Sequence, residues 1–84
     1  MVWLRIKKLM DGPGPGEALV TFSTMSGKAE QVVIDQSAIE NNMILVGYPL
    51  REKEEQSLIE LPRETMSGRW RVWVPNTGTV IVTP

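Results

Sequence analysis

The sequence predicts an all-β fold, a small barrel of six or seven strands in a single domain spanning residues 1–84. Three observations predict it. Apolar residues recur at every second position in short runs, the period of a half-buried strand. The runs are separated by clusters of Gly, Pro, Asn and Ser, which favour turns. No stretch carries the apolar period of a long helix.

The elements follow in order. Val2 to Leu9 alternates, with Val2, Leu4 and Ile6 on one face and Trp3, Arg5 and Lys7 on the other. The run D-G-P-G-P-G from Asp11 to Gly16 permits neither helix nor strand and reads as a stiff loop. Ala18 to Thr24 is the second strand, turned by Thr24-Met25-Ser26-Gly27 into a third from Glu30 to Asp35. Ser37-Ala38-Ile39-Glu40 has the form of a capping box, so one helical turn is expected near residues 37–41, ended by Asn41-Asn42.

Met43 to Leu50 is the most apolar stretch and reads as a strand covered on both faces, with Pro49 at its end. The segment 51–55 is a charged loop tip, and Ser57 to Leu61 is the fifth strand, closed by Pro62. Arg69 to Val74 is the sixth, with Trp70, Val72 and Val74 on one face and Arg69, Arg71 and Trp73 on the other. Pro75-Asn76-Thr77-Gly78 reads as a hairpin turn with Gly78 at positive φ, so that Thr79 to Thr83 pairs back as the seventh strand. Closing such strands into a barrel of SH3 or OB size would remove exposed sheet edges.

The tetrapeptide Thr24-Met25-Ser26-Gly27 recurs as Thr65-Met66-Ser67-Gly68, each followed by a basic residue. At the same offset Leu4 meets Leu45, Leu9 meets Leu50 and Val33 meets Val74. One explanation is a duplicated three-stranded unit with pseudo-two-fold symmetry. The other is turn chemistry, since two hairpins that need a Gly at positive φ can reach the same tetrapeptide separately.

Composition narrows the function. The chain has no cysteine, which removes disulfides, thiolate metal sites and cysteine nucleophiles. It has no histidine, the usual acid–base group near neutral pH and a common metal ligand. The acids Glu52, Glu54, Glu55, Glu60 and Glu64 match no cation-binding loop, and Arg51 and Lys53 interrupt them. The prolines of the D-G-P-G-P-G loop lack the N–H groups a phosphate cradle needs. No catalytic residue, metal site or cofactor is therefore expected. No apolar stretch approaches membrane-spanning length, and a cytoplasmic location is the default expectation.

Charge is unevenly spread. Residues 1–10 carry +3, residues 65–84 carry +2, and the middle carries −6, for a net charge of −1. If the first and sixth strands adjoin, Trp3, Arg5, Lys7, Arg69, Arg71 and Trp73 share one face. Indoles stack on bases and cations meet phosphates, so that face suits single-stranded nucleic acid. The same residue types are enriched at protein interfaces, and arginine stems also pack over indoles within a chain. The doubly apolar fourth strand, with Ile44, Val46 and Tyr48 as candidate contacts, and the thin core of a small domain favour self-association. The expected function is a non-catalytic protein-interaction or assembly module that binds itself, with nucleic-acid binding as the alternative.

Overall fold

Alternating β-branched and aliphatic residues form ten short strands in the computed structural model, which describes residues 1–81. They are β1 (Val2–Arg5), β2 (Lys7–Asp11), β3 (Glu17–Ser23), β4 (Ala29–Asp35), β5 (Ile39–Glu40), β6 (Met43–Gly47), β7 (Arg51–Lys53), β8 (Gln56–Glu60), β9 (Arg71–Pro75) and β10 (Thr79–Ile81). Single 3₁₀ turns at Gln36–Ala38 and Asn76–Gly78 complete the path. The capping box is not made: Asp35 precedes the first of these turns, with no side-chain cap.

The strands form three antiparallel sheets rather than a closed barrel, which corrects the expected architecture. A central sheet has the order β10-β1-β6-β5, and two outer sheets are the meanders β2-β3-β4 and β7-β8-β9. The reason lies at two breaks. Ile6 separates β1 from β2, its N–H donating to the carbonyl of Asn42 at 2.9 Å. On β6, Val2 faces Gly47 while Trp3 faces Leu45, so Val46 is the extra residue of a bulge and Gly47 takes φ +78°. At both places the chain leaves the central sheet for an outer one. Nor does β10 return to β9. It pairs with β1, and Gly78 is not among the residues at positive φ. Val82 and Thr83, the rest of the expected last strand, lie outside the described residues.

The two halves of the chain follow the same path. The pairs Ile39–Ile44 and Glu40–Met43 at one edge of the central sheet correspond to Thr79–Leu4 and Val80–Trp3 at the other, each residue 40 positions from its counterpart. Leu4 pairs with its own counterpart, Ile44, so the pseudo-two-fold axis runs through that pair. Leu4 and Ile44 are each 1% exposed. Around them the core also matches: Val20 with Ile59, Val32 with Val72, Ile34 with Val74, and Phe22 with Leu61. Ser57 stands where the first half has Ala18, and its hydroxyl donates to Oδ1 of Asn76 at 2.8 Å.

The repeated turns have one design. In each, the Thr and Ser hydroxyls are hydrogen-bonded, at 2.9 Å in the first copy and 3.1 Å in the second. The Gly N–H returns to the Thr carbonyl, and Gly27 and Gly68 lie at φ +83° and +87°. Each turn then crosses to the other half. The Met25 N–H donates to the Trp73 carbonyl on β9 at 2.9 Å, and the Met66 N–H to the Gln31 carbonyl on β4 at 2.8 Å. Both acceptors are on strands with one sheet neighbour, so each turn occupies a point on the free edge of the opposite meander.

Loop chemistry explains the remaining connections. Asn41 and Asn42, at φ +51° and +59°, join β5 to β6 as a two-residue turn of the mirror-image type that suits strand twist. The D-G-P-G-P-G loop closes on Glu17, whose Oε1 accepts the Gly14 N–H at 3.0 Å while Oε2 accepts from Arg63.

Three outcomes follow for stability. Leu4→Ala and Ile44→Ala should each cost about 2–5 kcal/mol in chemical denaturation, since both empty the centre of the core. Gly27→Ala and Gly68→Ala should each cost about 1 kcal/mol or more, because an L-residue is strained at those φ values, while Gly78→Ala should be near neutral. The Arg63 hydrogen bond and charge hold the Glu17 carboxyl below its ordinary value of 4.5. A depressed folded value stabilises the protein above that ordinary value, and the contribution is lost as pH falls through the lowered one. Arg63→Ala should therefore lose less stability between neutral and acid pH than the unaltered chain, measured by urea midpoints.

Candidate functional site

Nine cations are distributed over this fold, and the ion pairs sort them. Lys8 pairs with Asp11, Arg63 with Glu17, Arg69 with Glu30 and Arg71 with Glu60. Arg5, Lys7, Lys28, Arg51 and Lys53 make no ion pair among the described residues.

A groove of about 450 Å³ lies where the first T-M-S-G turn docks on β9. Trp73 forms one wall, half-buried and opposite Leu58 in the β8–β9 ladder. The Lys53 ammonium, carried by the β7–β8 hairpin, sits 4.9 Å from the centroid of that indole, a cation–π contact. Lys28 and Arg69, the basic residues after the two T-M-S-G copies, line the same groove with Met25 and the hydroxyls of Thr24 and Ser26. The acid here is Glu30, whose side chain is 12% exposed. Its Oε1 accepts from the Ser67 hydroxyl at 2.6 Å and its Oε2 lies 3.8 Å from the Arg69 guanidinium, so it fixes Arg69 at the rim.

Two further grooves are related by the pseudo-two-fold axis. One, about 430 Å³, is lined by Arg5, Ile6, Lys7 and Phe22. Its counterpart, about 370 Å³, has Leu45, Val46, Gly47 and Leu61 at the equivalent positions, with Tyr48, Leu50 and Pro62 beside them. The same backbone corner is thus basic in one half and apolar in the other.

The six residues expected to share one face are divided. β1 is central and β9 is the outermost strand of a different sheet, so the two do not adjoin. Trp3 lies on the outer face of the central sheet, in the row Val80–Trp3–Leu45. Arg5 and Lys7 line the basic groove, while Arg69 and Trp73 line the groove at the first T-M-S-G turn. Arg71 is held by Glu60 at 3.0 Å. Trp70 is 51% exposed rather than inward with Val72 and Val74, because the chain bends before β9 begins and its indole N–H donates to Glu64 at 3.0 Å.

The candidate contacts on the fourth expected strand also divide. Ile44 is in the core and unavailable to a partner, since it packs inward opposite Leu4. Val46 packs against the core from its bulge, and Tyr48 is 71% exposed. Sequence reasoning missed Lys28 and Lys53 as neighbours of Trp73, and Leu45, Leu50 and Pro62 as neighbours around one groove. The T-M-S-G-basic pattern marked Lys28, but nothing local shows which strand that turn will dock on.

Among the described residues no three acids converge on a point that would hold a metal ion, and no helix is long and apolar enough to cross a membrane. No family model matches the chain, and neither does any curated protein or solved structure.

Proposed function

We propose that this protein is a non-catalytic assembly module that associates with a second copy of itself. The observation that carries the reading is the exposed apolar surface around β6. Leu45, Tyr48 and Leu50 are 42%, 71% and 46% exposed around a groove completed by Val46, Leu61 and Pro62. Leu45 also joins that groove to the outer face of the central sheet, where it stands beside Trp3 in the row Val80–Trp3–Leu45. Contiguous apolar surface of this kind is a feature of interaction sites.

A second copy is the occupant that suits this surface. Isologous association places one patch against the same patch, so an apolar surface present at only one corner of the molecule can be covered by its own copy. The molecule is only 17 Å thick along its shortest axis, so its own chain supplies one covered face to the central sheet. The aromatic pair of Trp3 and Tyr48 provides the large, amphipathic contacts that anchor interfaces.

Sedimentation equilibrium tests the reading. The unaltered chain should show twice the monomer mass at micromolar concentration, and Leu45→Lys combined with Tyr48→Lys should return it to a monomer with an unchanged β-sheet spectrum. A strict monomer at high concentration would overturn it.

A further inference from the structure

We infer that the Trp73 groove binds single-stranded nucleic acid, and that Lys28, Lys53 and Arg69 meet its phosphates. The inference uses residues apart from the apolar surface of the assembly reading, so each can fail without the other.

The groove combines two chemistries at close range. The indole of Trp73 is half-buried and lines the groove, with the Lys53 ammonium 4.9 Å from its ring centre. Such a ring is a platform for a base of any sequence. Around it stand Lys28 and Lys53, which have no carboxylate partner among the described residues, and Arg69, two-thirds exposed and held at the rim by a largely buried Glu30. Cations around a flat apolar surface match the alternation of phosphate and base along a strand. A stacked base displaces the Lys53 ammonium from the ring, and its flexible stem lets that charge follow to the adjacent phosphate.

The groove is half open to solvent, so a chain can lie along it. An acidic peptide would use the cations and leave the indole idle.

Fluorescence anisotropy of a labelled oligothymidylate of about 12 nucleotides, within known site sizes for such proteins, tests this on the full chain. Binding should appear at low salt and weaken as salt rises, with a log–log slope of about −2 for three phosphate contacts. Lys28→Ala and Lys53→Ala, both at exposed positions, should each reduce that slope by about 0.7. Trp73→Leu should weaken binding roughly tenfold, with thermal melts establishing that the variant is folded. Arg5→Ala with Lys7→Ala should leave binding unchanged. The inference is overturned by any of three results: no anisotropy change at low salt, equal affinity in a folded Trp73→Leu chain, or displacement of the oligonucleotide by polyglutamate at matched charge. The last would show that the groove reads charge alone, as an acidic-peptide site does.

Discussion

The antiparallel pairing of β1 with β6 is the constraint on which the other elements depend. It brings residues from the two ends of a 40-residue separation side by side and places Leu4 against Ile44 at the centre of the core. Every other strand is reached from this pair. β5 and β10 attach to its outer edges, and the breaks at Ile6 and at the Val46 bulge send the chain out into the two meanders. Burying an aliphatic pair contributes about 1.5–3 kcal/mol per side chain. That burial is non-local, so it rewards the chain only after most of it has been ordered.

The symmetry of the backbone is closer than that of the side chains. The core pairs keep their hydrophobic character from one half to the other, with the Ala18–Ser57 exchange compensated by a hydrogen bond to Asn76. The surface does not. Arg5 and Lys7 become Leu45 and Gly47, and Ser23 becomes Pro62, which turns one basic corner into an apolar one. The first turn docks at Trp73 and leaves a groove; the second docks at Gln31, two residues away from the position that symmetry would give. A fold whose two halves share one core but differ outside it offers two kinds of surface on a single small body.

Much of this was legible in the sequence and some was not, for physical reasons. The all-β class, the inward faces of Val2, Leu4, Ile6, Val20 and Phe22, and the turn at Gly27 follow from a two-residue period and from glycine's access to positive φ. The T-M-S-G copies marked corresponding turns. The matches drawn from them along the strands did not hold: Leu4 corresponds to Ile44 and not to Leu45, and Val33 to Trp73 and not to Val74. A slip of one residue exchanges the faces of a strand, so Leu45 points out where Leu4 points in. Non-local pairing was the harder matter. Pro75–Gly78 looked like a hairpin because its composition suits one, yet β10 finds β1, and nothing near residue 78 encodes that choice. The expected binding face was split for the same cause, since joining Trp3 to Trp73 required two strands that the topology keeps in separate sheets.

The crossed contacts of the two T-M-S-G turns also bear on how the chain is made. The edge of β4 is met by Met66 and that of β9 by Met25. As the polypeptide emerges from the ribosome, the first meander is complete by Asp35, but its edge stays open until residue 66 has been synthesised. An open edge is a template for pairing with another nascent chain. The interval between those two points is thus a stage of biosynthesis exposed to misassembly; a stop within it would release a half-molecule with an uncovered strand, and a pause would prolong the exposure.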